Sequence, residues 1–307
     1  MARLSRCAVT AVLVYALFCA AAGVLVTDAT LHPQRRPLDA EAIAQAQQVA
    51  DQTGTNLENI ALKTQDGILL KAWLFQPKGG NASAVLLLHG LSDNRSGMIG
   101  YAELLLAHGY TTLMPDARAH GESGGMLATY GLLERRDIHE WVDWIENRVH
   151  PSCVFGFGES MGGAQLLQSL ATENRFCAVA VESSFSDFRE IGYDRIGQFF
   201  HTGPWLGRSI LRPVIEIGLL HARWKYGLDL QQVSPAAAAS AASVPVLLIH
   251  GQIDSNIPVR HSRRIKSLAP AVVLWEVPDA DHCGAISAAP DEFRHRVVGW
   301  FSTHSSH

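Results

Sequence analysis

Basic clusters, nucleotide-binding loops and internal repeats are all missing from this chain. Its 25 Lys and Arg residues are outnumbered by 29 Asp and Glu, the formal net charge over 307 residues is −4, and the cations form no long runs. A nucleic acid would find no electrostatic footprint here, so that partner is excluded. Nothing recurs at a period of about 20 to 50 residues, which excludes a solenoid, and the one low-complexity stretch is the Ala-rich "SPAAAASAASVP" at 234–245. No P-loop is present. "HEWVD" at 139–143 has Asp143 where a zinc-binding H-E-x-x-H helix needs its second histidine, so the metal reading loses a ligand. No metal and no cofactor is therefore expected. Cysteine is also scarce: five in all, two of them in an apolar N-terminal run, which excludes a disulfide-rich scaffold. Cys153 and Cys177 stand at the starts of two neighbouring predicted strands, where an oxidising compartment permits a pairing that parallel-strand geometry could hold badly.

What is present is enough apolar material, 48% of residues against 18% charged, to bury one large core. The first physical message is at the amino terminus. After Arg3 and Arg6, "CAVTAVLVYALFCAAAGVLV" (Cys7–Val26) runs without a charge, and at the helical rise this is long enough to cross about 30 Å of hydrocarbon. Residues 1–26 are thus expected to be a membrane anchor. A cleaved signal is the alternative, because Ala20-Ala21-Ala22 resembles a cleavage site, although signal cores are usually about 7 to 15 residues long. Residues 27–57 are polar, carry Pro33 and Pro37 ahead of an Ala/Gln-rich helical stretch, and read as a stalk leading to a domain at 58–307.

From Glu58 onward strands and helices alternate. "NIALKT" and "ILLKAWLF" flank the turn "QDG" and read as a hairpin. Continuous apolar runs at 84–89, 111–116, 153–158, 177–183, 245–251 and 272–277 read as buried parallel strands. Between them, Leu133, Ile138, Trp141, Val142 and Ile145, and later Phe293, Val297, Trp300 and Phe301, repeat at helical spacing. The pattern predicts a doubly wound, mostly parallel α/β sheet. Working residues should then sit beyond the carboxyl ends of the strands.

One such end reads "GFGESMGG" (156–163). A dinucleotide fingerprint from Gly156 would need glycine at position 161, which is Met161. G-x-S-x-G, by contrast, matches as Gly158-Glu159-Ser160-Met161-Gly162, with a strand before it and a helix after it, as a nucleophile elbow requires. Gly158 and Gly162 remove Cβ atoms that would clash in so sharp a turn, and Gly163 lets the helix approach the sheet. A lone serine is a weak nucleophile near neutral pH and needs a base and a group to orient that base. "LLIHGQIDSNIP" puts Asp254 just past one strand and "LWEVPDADHCG" puts His282 past the next. Asp279 and Asp281 compete for the acid role but are too near His282 in sequence to reach its ring from the far side. The charge on a tetrahedral intermediate also needs donors, expected from the backbone N–H groups of Met161 and, after "LLLHG", Leu91. His89 and Gly90 would shape that loop, with His89 as a second base the less favoured reading.

"LLLHGLSDNR", "PDARAHGESGG", "GFGESMGG", "GQIDSNIP" and "DADHCG", in this order, resemble the serine-hydrolase branch of the α/β-hydrolase superfamily, and in particular bacterial hydrolases related to the prolyl-oligopeptidase-like group. The likeness covers residues 58–303. It implies Ser160 as nucleophile, Asp254 as acid, His282 as base, and Leu91 and Met161 as oxyanion donors; it makes Asp116, Arg118 and His120 architectural; and it names no substrate. Cys283, beside the base, is less typical of the family.

About 50 residues, 186–243, exceed what a minimal fold needs and are expected to form a helical cap, with Tyr193, Phe199, Phe200, Trp205, Trp224 and Tyr226 either lining an acyl or aromatic pocket or packing the cap down. The expected function is hydrolysis of an ester or thioester in a small-molecule or acylated substrate through an acyl-enzyme. A serine peptidase or amidase is the alternative, and a noncatalytic hydrolase-fold binding protein is the alternative from another class. Arg3 and Arg6 before the apolar segment are balanced by Arg35 and Arg36 after it, so charge alone does not orient it. The resemblance of the basic start and apolar run to an export signal places the domain in the periplasm or outside the cell.

Overall fold

The computed structural model describes residues 2–305, with side chains from residue 6 onward. In chain order its elements are α1 (Ala2–Leu31), α2 (Ala40–Thr53), β1 (Thr55–Lys63), β2 (Leu69–Pro77), β3 (Ser83–Leu88), α3 (Ile99–Leu106), β4 (Thr111–Pro115), α4 (Glu134–Val149), β5 (Cys153–Glu159), α5 (Ser160–Ser169) and β6 (Phe176–Glu182). Then follow α6 (Phe188–Phe199), α7 (Trp205–Arg208), α8 (Arg212–Tyr226), α9 (Pro235–Ala241), β7 (Val246–Gly251), α10 (Arg260–Leu268), β8 (Val273–Val277), α11 (Ala285–Ala288) and α12 (Pro290–Thr303). They divide into two compact units, Met1–His32 with Asp187–Val233, and Pro33–Ser186 with Ser234–His307.

The larger unit holds an eight-stranded sheet in the order β1-β2-β4-β3-β5-β6-β7-β8. The β1–β2 hairpin turns at Gly67, which adopts a φ of +84°. β2 is antiparallel to β4, and every later pair is parallel. Alternate residues of the central strands feed two cores. Val85, Leu87, Phe155, Phe157, Ala178 and Ala180 pack with α3 and α12 on one face. Leu86, Leu88, Val154, Val179 and Val181 pack with α4, α5 and α9 on the other. Of the residues read as helical stripes, Ile138, Trp141, Val142 and Ile145 bury in α4 and Phe293, Val297 and Phe301 in α12, while Leu133, just ahead of α4, and Trp300 are half-buried. Parallel β3, β5, β7 and β8 all point their carboxyl ends to one edge, and this edge carries the functional candidates.

Residues 27–57, read as a stalk, differ from that expectation. α1 continues to Leu31, and α2 is a core helix whose Ala46, Val49 and Ala50 bury against the sheet. Asp39 caps it, accepting the Ala42 N–H at 2.8 Å, and Gly54 ends it in the left-handed conformation. The segment 186–243 also divides: α6, α7 and α8 form the smaller unit with α1, whereas α9 belongs to the sheet unit and buries Ala236 and Ala239 in its core. Among the aromatics of the segment, Tyr193 is buried, but Phe199, Phe200, Trp205 and Trp224 are exposed. Exposed rings do not pack a cap down, so that role falls away for these four. Cys153 and Cys177 are joined by a disulfide between the starts of β5 and β6.

Candidate active site

β5 ends at Glu159 and α5 begins at Ser160 with no intervening loop, and Ser160 takes a φ of +50°. This region of backbone space is costly for a residue with a Cβ and persists only where the surroundings enforce it. The enforcement comes from close approach. A Cβ on Gly158 would lie 2.7 Å from the Gly162 carbonyl, and one on Gly162 would lie 2.2 Å from the Leu88 carbonyl oxygen. No larger residue fits at either place. The first turn of α5 is thereby pressed against the end of β3, and Ser160 projects from the strand tip with partial exposure.

Asp254 and His282 come to the same serine from β7 and β8. His282 Nε2 is 2.9 Å from Ser160 Oγ, and its Nδ1 is 2.9 Å from Asp254 Oδ2 and 3.2 Å from Oδ1. The carboxylate holds the proton on Nδ1, leaving Nε2 free to accept from the serine hydroxyl, the geometry needed for proton transfer out of a nucleophile. Asp254 is buried. Burial alone would raise its pKa, but hydrogen bonds from His250 and His282 and the Ile257 N–H at 2.7 Å outweigh it and hold the carboxyl well below the usual range. The competing Asp281 faces another way: Oδ1 accepts the backbone N–H groups of Ser255 and His282, both at 2.8 Å, so it staples the Asp254 loop to the His282 loop. Asp279 is exposed.

The loop after β3 passes beside the serine, with a Cβ built on Gly90 falling 3.6 Å from Ser160 Cβ. His89 fixes that loop. The Ala117 N–H donates to its Nε2 at 3.0 Å, so the ring proton sits on Nδ1 and donates to the Gly90 carbonyl at 2.7 Å. Burial lowers its pKa. Both ring nitrogens are committed to backbone, which removes His89 as a second base. Asp116 is fully buried and accepts from the Arg95 and Glu122 N–H groups at 2.7 and 2.8 Å and from the Arg95 guanidinium at 2.5 Å. Arg118 forks onto Asp137, and His120 Nδ1 lies 3.0 Å from the Arg118 carbonyl. These groups build the loop next to the site. His139 lies 2.7 Å from Glu173, and Glu140 accepts the Gln65 N–H, so "HEWVD" is occupied with structural contacts.

Sequence reasoning missed a pair of acids beneath the serine. The Tyr101 hydroxyl lies 3.1 Å from both Glu159 Oε2 and Glu182 Oε2, and Glu182 Oε1 accepts the Ala285 N–H at 2.8 Å. Burial pushes both carboxyls up to about 7, with the Glu182 charge adding to the rise at Glu159. One hydroxyl cannot donate to two carboxylates, so the pair keeps a proton near neutrality. Both acids end apolar strand runs and looked like ordinary strand ends; the only signal was charge at the last position of two adjacent strands. Cys283, whose role the sequence left open, is half-buried, and its thiol is pushed far above the ordinary range by desolvation and then by the charge of the same acids.

Residues 85–296 match the model of the alpha/beta hydrolase family. The uncharacterised protein YfhR of Escherichia coli K12 is 28% identical over 251 residues, covering 78% of this chain and 79% of its own. Among solved structures, the Pyrococcus furiosus esterase Pf2001 superposes with a TM-score of 0.70 at 23% identity, over 90% of this chain and 100% of the other. The Pyrococcus horikoshii acylaminoacyl peptidase does so with a TM-score of 0.59 at 19% identity, over 79% of this chain and 40% of its own. At these identities the structural likenesses speak for the fold. With a sheet of this order, a strand-to-helix serine at a positive φ and a family match over more than half its length, the chain belongs to the alpha/beta hydrolase family.

Proposed function

We propose that the protein is a serine hydrolase that cleaves ester or thioester bonds through an acyl-enzyme. The observation that carries this reading is the continuous line from Ser160 Oγ through the His282 ring to buried Asp254, with 2.9 Å at each end of the imidazole. Ser160 Oγ attacks the substrate carbonyl while His282 Nε2 takes its proton. Asp254 stabilises the imidazolium and holds its orientation, and the backbone N–H groups of Leu91 and Met161 receive the oxyanion. His282 returns the proton to the leaving alcohol or thiol. Water then repeats the attack on the acyl-serine with His282 as base, releasing acid and free Ser160. No metal or cofactor enters these steps.

The test is labelling by a fluorophosphonate followed by a panel of aryl esters, acyl thioesters and aminoacyl amides. Covalent labelling lost in Ser160→Ala, with turnover of esters or thioesters well above amides, is the expected result. No labelling of a folded wild-type chain would instead favour a noncatalytic binding protein. Preference for amides would favour the peptidase reading, which the acylaminoacyl peptidase fold neighbour keeps in play.

The same reading places α1 in a membrane as a retained anchor, with the hydrolase on the periplasmic or outer side. Among the described residues α1 is the one helix long and apolar enough to cross, over Arg6–Leu31. The Cys153–Cys177 disulfide supports an oxidising side. Burial of Cys19 against Leu211 and Val214 supports retention, since cleavage after Ala22 would strip that contact from the fold. Alkaline phosphatase fused after His307 should be active in a membrane fraction that survives a carbonate wash; a shortened soluble chain would identify a cleaved signal.

A further inference from the structure

We infer that the α6–α8 cap is itself a membrane-embedded element, its aromatic tip seated in the outer leaflet beside α1. The inference rests on the anchor reading above and begins with the length of that anchor. Between Arg6 and Asp28 no charged residue interrupts α1, and 21 residues at about 1.5 Å each give about 32 Å, one hydrocarbon thickness. From Tyr15 onward one face of that length is covered by α8, while Leu17, Phe18, Leu25 and Val26 stay exposed on the other. Within this unit the Tyr15 hydroxyl donates to the Ile210 carbonyl, and Cys19 is buried in a cluster with Leu211 and Val214. Further along, a Cβ on Gly23 would meet the Val214 carbonyl oxygen at 2.7 Å, and one on Gly218 would meet Thr27 Oγ1 at 2.3 Å. At the polar end, Asp28 accepts from Tyr226 OH and Lys225 Nζ and contacts His221 Nε2, each at 2.8 Å. α8 therefore runs parallel to α1 from Tyr15 to Asp28. Small residues at the crossing are the device by which helices approach closely in lipid.

The stretch ahead of that contact, Cys7–Val14, measures about 12 Å, and even as far as Phe18 it is only about 18 Å. Neither length crosses about 30 Å of hydrocarbon. An α1 that spans the bilayer must carry the tip of the cap into the leaflet with it. The cap's surface suits that position. Trp224 is 84% exposed, Phe199 78%, Leu220 61%, Trp205 58% and Ile210 56%. So many large apolar groups on one helical insertion would carry a free-energy penalty in water and stabilise a seat in lipid. Of the nearby cations, Arg208 pairs with Glu190 and Arg212 lies 3.3 Å from Glu216, whereas Arg223 stands exposed beside Trp224. Trp224, next to the Lys225 that bonds Asp28, stands at the polar end of α1, where an interfacial belt of tryptophan and cations lies.

The test uses the full chain in vesicles of phosphatidylcholine and phosphatidylglycerol, with and without lipids brominated on their acyl chains, beside a Trp205→Phe/Trp224→Phe variant. The other five of seven tryptophans lie in the sheet unit. Bromolipid should quench part of the wild-type emission, and that part should be missing from the variant, with both chains resisting a carbonate wash. Equal quenching of the two chains, with Trp205 and Trp224 open to aqueous iodide, overturns the embedded cap while leaving the anchor in place. Shielding of both tryptophans from bromine and iodide, with a cross-linked dimer, assigns the face to a second copy and also overturns it. Extraction of the wild-type chain by carbonate removes the anchor reading and this inference with it.

Discussion

Ser160 is held in a backbone conformation that few serines adopt, and each residue that holds it can be tested singly. Ser160→Ala or His282→Ala should reduce kcat by up to about 10⁶, and Asp254→Asn by about 10⁴, if these residues act as a unit. The check is steady-state ester hydrolysis on chains whose circular dichroism matches wild type. Gly162→Ala attacks the same site through sterics. Its Cβ would meet the Leu88 carbonyl oxygen, so a loss of about 1–3 kcal/mol in denaturant unfolding is expected together with lower activity. Cys283→Ser should keep most of the activity, because the half-buried thiol is held protonated and is no nucleophile; iodoacetamide should label it slowly even at pH 8. At this scale the sequence was informative, since the elbow glycines, the serine, and the acid and base past later strands stand in a fixed order. Other residues were silent: nothing in the letters of Glu159, Glu182 and Tyr101 said that three separate elements would bring them together.

Among the elements, the junction of β5, β6 and the His282 loop is the one that should respond to pH. Glu182 anchors Ala285, three residues past His282, and shares its protonation with Glu159. Both acids have folded pKa values raised to about 7. The folded chain therefore holds protons that the unfolded chain releases near 4.5. Their contribution to stability is complete below that value and is lost as the pH rises through 7. Glu182→Gln, which keeps an oxygen for the Ala285 N–H, should be more stable than wild type above pH 7, by on the order of 1–3 kcal/mol. The difference should shrink toward pH 5, and urea titrations at the two pH values measure it. Strands were the most legible elements, because fully buried parallel strands are written as unbroken apolar runs. α2 was not legible as core. Two of its three buried positions are alanine, and alanine among glutamines carries little hydrophobic signal. The α1–α8 crossing was equally hidden, since glycine, threonine and aspartate make it.

For the whole molecule, the strand order and the division into two units could not be read from a linear pattern, because both depend on which crossovers pass to which side of β3. The disulfide belongs to this scale as well. It links residues 24 apart in sequence, and a loop of that size should stabilise the fold by about 3 kcal/mol. Cys153→Ser/Cys177→Ser should lose roughly that amount in urea unfolding, and wild type treated with dithiothreitol should match the double variant. The loop so closed contains Ser160 and all of α5, as well as the exposed turn at Ala171–Thr172. An exposed turn of this kind is where a protease would cut. A nick after Ala171 would divide the chain into 1–171 and 172–307, separating the serine from its acid and base in sequence. The two pieces would still migrate as one band on a non-reducing gel and part only after thiol is added. A nick-tolerant catalyst follows: cut once at that exposed turn, the enzyme keeps its halves in register and its turnover, while a reduced copy given the same cut does not.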